Sequence, residues 1–462
     1  MQKKSNTAPL SFIEKIGYGV GDMASNFYMG FFNIFLLYYY VDVWGITPAG
    51  AATMFLVTKV IDAVSDPTMG LIADRTETKW GKYRPYILWM AIPYALLGYL
   101  LFLGPEFSQT GKLIFAYVSY SLIMLVYTAI NVPYSALLAV ISPVSEERTK
   151  ATQFRFIFAS LGTLTVGATA KPLVDFLGGG NEVLGFRLAI CVFAVLALLL
   201  FLFTFLSTKE RIRPKKHESS IKEDLNVLRK NISWIILALS SILIVVGLVA
   251  RISSTAFFTK YNMLYGGEKI LWWMDHTSLI ITSGFVGQLF GALITPTLLK
   301  FVDKRNLMIL MNLVFAGSIF ATYFVPIDQY TLTLILYTTG IFSFGIIITL
   351  LFSMYTDCAE YGEWMSGHNS AGLTVSASMF SLKFGSAVGS AIPGYILGWY
   401  GFVKDRPQPE EVLEGISLMW NIAPAIFFLL AAILMFFYKL DGKMMEKVEK
   451  DMLERRGEIS PI

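Results

Sequence analysis

Two carboxylates inside an apolar stretch define the chemistry to be explained. In Phe55-Leu56-Val57-Thr58-Lys59-Val60-Ile61-Asp62-Ala63-Val64-Ser65-Asp66-Pro67, Asp62 and Asp66 stand at i and i+4. On a helix that spacing puts both acids on one face, a turn apart. Two such acids repel each other in a low dielectric, and a shared cation, or a proton on one of them, relieves the repulsion. Hard oxygen ligands suit Na⁺ or a proton better than a soft metal, and His217, His276 and His368 are scattered with no metal-ligand spacing. The pattern therefore reads as a coupling-ion site. Lys59 leaves a second reading open, in which the acids form an internal ion pair with it or with a neighbouring helix.

Other groups share this apolar setting. Lys383, in Ser381-Leu382-Lys383-Phe384-Gly385-Ser386, lies in a small-residue-rich segment where Gly385, Gly389 and Gly394 permit close helix packing. Its ammonium either pairs electrically with the two acids or snorkels to the cytoplasmic surface. Arg251, in Val249-Ala250-Arg251-Ile252-Ser253-Ser254, falls mid-segment, and its guanidinium fork suits a carboxylate of the protein or of a substrate equally. Asn26, Tyr127 and Asn131 supply neutral hydrogen-bonding groups of the kind that read sugar hydroxyls, although asparagines in membranes also serve as packing contacts.

The elements that position these groups must cross a membrane. Of 462 residues, 15% are charged and 55% hydrophobic, with a mean hydropathy of +0.59, whereas a soluble chain is about one-quarter charged. Apolar blocks near the ~20 residues that span a bilayer place helices at 18–42, 49–73, 85–104, 113–141, 154–174 and 185–207. A second set follows at 233–262, 277–300, 306–326, 331–357, 371–399 and 416–438, giving an all-α membrane protein of six plus six helices. The expected organisation is a six-helix bundle over 1–207, a cytoplasmic linker over 208–231, a second bundle over 232–440 and a cytoplasmic tail over 441–462.

Lysine and arginine collect in the tails and even-numbered loops. The opposite side carries Lys112, Lys171, Arg187, Lys260, Lys269, Lys404 and Arg406. The positive-inside rule then puts both termini in the cytoplasm. Met1 to Lys15 stays polar, and the first apolar block is too long for a signal-peptide core, so no cleaved signal is expected. The basic run around Arg211, Arg213, Lys215 and Lys216 reads as a solvated linker beside anionic head groups, with a regulator-binding role as the alternative. The net charge of +4 adds nothing toward nucleic-acid binding. Cys191 and Cys358 lie in or beside apolar blocks and read as packing residues. The aromatic clusters Tyr38-Tyr39-Tyr40 and Trp272-Trp273 sit at span ends, where an interfacial belt is expected. A weak internal echo, Gly70-Leu71-Ile72-Ala73-Asp74-Arg75 against Phe301-Val302-Asp303-Lys304-Arg305, suggests duplication, the way many secondary transporters are built.

Taken in order, several motifs resemble the glycoside-pentoside-hexuronide:cation symporter family of the major facilitator superfamily, almost from end to end. They are Tyr18-Gly19-Val20-Gly21, Leu37-Tyr38-Tyr39-Tyr40-Val41-Asp42, Asp62-Ala63-Val64-Ser65-Asp66-Pro67-Thr68-Met69-Gly70 and Trp80-Gly81-Lys82-Tyr83-Arg84-Pro85. Further on come Tyr127-Thr128-Ala129-Ile130-Asn131-Val132-Pro133-Tyr134, Asp357-Cys358-Ala359-Glu360-Tyr361-Gly362-Glu363, and Lys383 with Phe384-Gly385. The resemblance implies two six-helix bundles rocking about a central cavity, in cation-coupled uptake of a sugar or sugar acid. It implies a cation site at Asp62, Ser65, Asp66 and Thr128. Sugar contacts are implied for Asn26, Tyr127, Asn131 and Arg155, with Lys383 near both sites. Asp357, Glu360 and Glu363 match acids near the cytoplasmic gate, and Asp74 and Arg75 join that gating set.

Departures shape the expectation further. Where the best-known member has aspartates reading a galactoside, this chain has Asn26 and Asn131, and Ser65 replaces an asparagine of the cation site. Gly367-His368-Asn369 stands where a basic residue is usual. Losing two anions removes repulsion toward an acidic sugar, whose carboxylate Arg251 and Arg155 would bind, so the lean is toward a hexuronide or oligouronide. The expected partners are that small molecule, the coupling cation, Na⁺ or H⁺, and membrane lipid. No cofactor is expected, and the chain is expected to be a monomer of the inner membrane. An integral membrane enzyme would need a nucleophile, metal cluster or phosphate cradle near a span end, and the sequence offers none. A transporter-like sensor without flux remains the other alternative.

Overall fold

The computed structural model describes residues 9–142, 144–211, 221–264, 269–271, 273–367, 371–404 and 406–456. Positions 212–220 of the linker, which include His217, together with Trp272, His368, Asn369 and 457–462, lie outside the described residues, as do the side chains of Lys59 and Asp74. The chain is a succession of long helices. The first six are α1 (Phe12–Phe31), α2 (Pro48–Arg75), α3 (Arg84–Leu101), α4 (Gln109–Ile141), α5 (Ser145–Gly178) and α6 (Glu182–Ser207). A short α7 (Ile221–Lys230) precedes α8 (Ile232–Phe257), α9 (His276–Leu298), α10 (Lys304–Tyr323), α11 (Tyr330–Ser366) and α12 (Ala371–Trp399). The last span is α13 (Glu410–Ser417) running through wider turns into α14 (Ala423–Met435), and α15 (Gly442–Arg456) follows. A two-stranded antiparallel hairpin, β1 (Lys269–Leu271) with β2 (Met274–Asp275), joins α8 to α9.

Among the described residues, eight helical stretches are long and apolar enough to cross a membrane. The helices α1, α2, α3 and α12 complete the twelve. These four also carry polar or charged groups along their length. Asp22 and Asn26 lie on α1, Asp62 and Asp66 on α2, and Lys383 on α12, while α3 is diluted by Arg84, prolines and tyrosines.

Local sequence explains the element ends. Ser11 and Glu14 form a capping box on α1: the Ser11 hydroxyl accepts from Glu14 N at 3.2 Å, and the Glu14 carboxylate accepts from Ser11 N at 2.9 Å. From Phe32 to Val43 the same helix continues through two π-type segments. Tyr38, Tyr39 and Tyr40, expected in an interfacial belt, are instead 2%, 0% and 0% exposed. They pack inward because an aromatic cluster receives them: the Tyr39 ring lies 4.7 Å from that of Phe102, and its hydroxyl donates to the Phe102 carbonyl at 2.9 Å.

The helices form two compact units. One comprises Met1–Lys216, Thr255–Thr282 and Gly394–Val412, the other His217–Ser254, Ser283–Pro393 and Leu413–Ile462. The last turns of α8 and α12 and the hairpin belong to the first unit. Electrostatics accounts for part of this: Lys260 and Tyr261 both hydrogen-bond to the carboxylate of Asp42, whose side chain is fully buried. Lys404 donates to the Val43 carbonyl at 3.3 Å.

Duplication leaves a physical trace. Arg84, opening α3, donates to the Phe205 carbonyl near the end of α6 at 2.6 Å. Arg305, near the start of α10, donates to the Met435 and Phe436 carbonyls at the end of α14 at 3.4 and 2.5 Å. The first unit adds a capping carboxylate from the linker side. Glu210 accepts the backbone N–H groups of Lys82, Tyr83 and Arg84 at 2.9, 2.7 and 3.0 Å, filling the N-terminus of α3. Gly81 makes room, with φ at +111° and a position where a Cβ would meet the Glu210 carboxylate at 2.3 Å. The tail is also ordered against the second unit: the Trp364 indole donates to Asp451 of α15 at 2.9 Å.

Replacing Glu210 by alanine strands three amide donors and should cost about 1–2 kcal/mol, the range for lost helix caps. The expected outcome is a lower midpoint of thermal unfolding for the detergent-solubilised protein, with Glu210→Gln recovering part of the loss.

Candidate functional site

In the first unit α2 and α4 bring the expected ion-site residues together. Asp62 is 4% exposed and Asp66 half-buried on the same face of α2. From α4, buried Thr128 donates its hydroxyl to Asp66 Oδ1 at 2.9 Å. Ser65 turns its hydroxyl back to the Asp62 carbonyl at 3.4 Å, which directs it to the backbone of its own helix. Both helices carry an internal proline beside the site, Pro67 in α2 and Pro133 in α4. Each proline removes one in-helix donor and so leaves the carbonyl four residues back without its usual bond. Such irregular backbone is tolerated at membrane depth where it faces protein or a polar path. The two carboxylates and the hydroxyl are hard oxygen groups of the kind that suit a monovalent cation or a proton.

A second polar group lies on α1, α4 and α5. Helix α1 presents Asp22, Asn26, Met29 and Asn33 as half-exposed positions among buried neighbours, the i, i+4, i+7, i+11 stripe of a single face. Asn26 donates to the Asp22 carbonyl at 2.8 Å, and its Oδ1 accepts from Thr163 of α5 at 3.4 Å. Asn131 accepts from Ser25 at 3.0 Å and donates to the Tyr127 carbonyl at 3.2 Å, linking α4 to α1. Arg155 lies about three turns into α5 rather than at its start, because α5 begins ahead of the expected boundary. Its Nε donates to Asp22 Oδ2 at 3.0 Å, and its guanidinium sits 5.0 Å above the Tyr134 ring. The Tyr134 ring stacks at 4.9 Å on Tyr18, and its hydroxyl donates to the Tyr18 carbonyl. Close approach of α1 and α5 makes the ion pair reachable: a Cβ on Gly162 would stand 3.0 Å from the Met23 carbonyl.

The second unit holds the remaining candidates. Arg251 is 1% exposed, donates to the Trp420 carbonyl at 3.0 Å, and lies 4.3 and 5.2 Å from the Trp420 and Tyr337 rings, which stack on each other at 6.0 Å. Lys383 is half-buried on α12, which approaches α8 closely; Cβ atoms on Gly385 and Gly389 would lie 2.8 Å from the Ile242 and Val246 carbonyls. Among the gating candidates, Asp357 pairs with Lys304 at 2.7 Å. Helix α11 runs past its expected end at Asp357, so Glu360, exposed, and Glu363, half-buried, lie on the helix itself. Arg75 is exposed at the last position of α2. Cys191 and Cys358 are free thiols, the second buried.

Two functional-looking side chains, Asp22 and Glu210, and one pair, Asp42–Lys260, escaped the sequence reading. For Asp22 a signal existed, since it precedes Asn26 by four residues and so shares its face. The other two are pairings between distant segments, invisible to local spacing.

Comparison with known proteins agrees with this architecture. The family described as MFS/sugar transport protein matches residues 17–442. The isoprimeverose transporter of Lactiplantibacillus pentosus is 33% identical, covering 97% of this chain and 91% of its own. The glucuronide carrier protein homolog of Escherichia coli (strain K12) is 28% identical, covering 97% and 96%. Among solved structures, an inward-facing bacterial homolog of the human lysosomal transporter Spinster aligns with a TM-score of 0.66 at 13% identity, covering 94% of this chain and 97% of that one. That likeness is one of fold, the twelve-helix fold of the major facilitators. The chain is thus a multi-pass membrane transporter of sugars, not an enzyme, and it belongs to the glycoside-pentoside-hexuronide:cation symporter family.

Proposed function

We propose that the chain is a secondary active symporter of the inner membrane that couples entry of Na⁺ or H⁺ to uptake of a glycoside or related sugar by alternating access. The observation that carries this reading is the Thr128 hydroxyl on Asp66, with buried Asp62 one turn away on the same helix. A cation arriving there neutralises two acids whose mutual repulsion is strong in a low dielectric. Relief of that repulsion stabilises the spacing of α2 and α4. Because Tyr127 and Asn131 lie on α4 beside Thr128, the same movement sets the sugar contacts, with Asn26 on α1. The ion and the sugar then favour each other's binding, reciprocally. The names carried by the relatives, a transporter of isoprimeverose and a glucuronide carrier, support a sugar as cargo.

In this reading the two six-helix halves, 1–207 and 232–440, are the moving bodies, and 208–231 is the cytoplasmic linker between them. Asp74 and Arg75 at the end of α2, and Asp357, Glu360 and Glu363 on α11, serve as the gating acids and base of their respective halves. Lys383 contributes its charge near the cargo path. The lysine and arginine distribution supports cytoplasmic termini. The protein works as a monomer in contact with lipid. Arg251 serves as a packing contact of the second unit, since it is buried, lies against two aromatic rings and donates to a backbone carbonyl.

Two outcomes are expected. In vesicles, Asp62→Asn should abolish cation-driven accumulation of sugar while leaving energy-independent exchange; accumulation equal to wild type would refute the ion-site assignment. Arg251→Lys should lower the unfolding midpoint by several degrees and leave sugar affinity within about twofold of wild type. A selective loss of affinity without a stability change would instead make Arg251 a substrate ligand.

A further inference from the structure

The sequence offered two cations, Arg155 and Arg251, to hold the carboxylate of an acidic sugar. Arg251 is buried beside the Trp420 and Tyr337 rings and donates to the Trp420 carbonyl. Arg155 is bonded to Asp22, an acid on the same face of α1 as Asn26. Their side chains are 24% and 13% exposed, so the pair is largely withdrawn from water but still reachable from the half-exposed stripe on α1.

We infer that Asp22 is a specificity-determining residue which, by neutralising Arg155 on the sugar-facing side of α1, makes this transporter selective for uncharged glycosides over uronides. The inference rests on the sugar-transport reading above and deepens it. The physics is that of charge balance at low dielectric. A uronate carboxylate would have to displace Asp22 from Arg155 or lie beside it, leaving one anion uncompensated in a poorly hydrated site. Both outcomes are costly. A neutral sugar asks for neither. Its hydroxyls donate to the Asp22 carboxylate and accept from the guanidinium, so the pair stays intact and both charges gain charge-assisted hydrogen bonds.

Geometry supports the pair as a fixed unit. The Tyr134 ring lies under the guanidinium at 5.0 Å and is itself stacked on Tyr18 at 4.9 Å. Asn26 is tied to the Asp22 carbonyl at 2.8 Å and to Thr163 at 3.4 Å. Acid, arginine and asparagine are therefore set by the same α1–α5 contact, and they present an acceptor, a donor and an amide to one cargo. The absence of aspartate at Asn26 does not leave the pocket without an anion. The anion stands one turn earlier and comes with its own counter-charge.

A matched pair of probes tests this: p-nitrophenyl β-D-glucopyranoside and p-nitrophenyl β-D-glucuronide, which differ in the oxidation state of C6. Uptake or binding of both is measured on the purified full-length transporter. Wild type is expected to favour the glucoside by about tenfold or more, and Asp22→Asn to shift the ratio toward the glucuronide by a similar factor. Arg155→Gln, which leaves Asp22 uncompensated, is expected to shift it the other way. It provides a second arm should Asp22→Asn fold poorly, as judged by its unfolding midpoint. A wild type that prefers the glucuronide, or a ratio unmoved by both variants, overturns the proposal and leaves sugar transport standing. A folded wild type that takes up neither probe nor any member of a panel of neutral and acidic glycosides overturns both.

Discussion

The organising constraint is the cost of holding charge where water is scarce. An ionised side chain within a bilayer span costs at least about 2.5–3.5 kcal/mol even on a lenient scale. The first unit nevertheless keeps Asp22, Asp42, Asp62, Asp66 and Arg155 inside or at the ends of its helices. Asp22 and Arg155 cancel one another, and Asp42 is met by Lys260 and Tyr261. Asp66 takes a hydroxyl donor from Thr128. The reading of α2 as the ion helix rests on two acids one helical turn apart on one face, whose repulsion a cation would relieve.

The same accounting applies to the helices that carry the polar residues. Apolar α6 and α8 need nothing beyond length and composition to cross. Helices α1, α2 and α12 carry the polar residues and depend on neighbours to shelter them, through glycine-mediated contacts between α1 and α5 and between α8 and α12. Polarity on one face and close packing on the other are two aspects of one design.

Much of the fold was legible from apolar block length, because it is a consequence of the bilayer. The Asp62–Asp66 spacing was legible too, since a helical turn is a local property. What escaped was of another kind. Tyr38, Tyr39 and Tyr40 look interfacial by position, and only the tertiary cluster with Phe102 and Phe186 shows why they are buried. Arg155 looked available for a carboxylate ligand until α5 was seen to bring it onto Asp22. Glu210 reads as one more linker charge, yet it caps a helix more than a hundred residues away in sequence. In each case the deciding partner is distant along the chain, and no periodicity announces it.

Everything functional here turns on the claim that ion and sugar sites in the first unit share one conformational equilibrium. Titration calorimetry on the purified transporter tests it most directly, with sugar affinity measured across a range of Na⁺ and proton activity and cation affinity measured with and without sugar. The account predicts that one of these cations raises sugar affinity and that sugar raises the affinity for that cation by the same factor. Sugar affinity indifferent to both cations would contradict it.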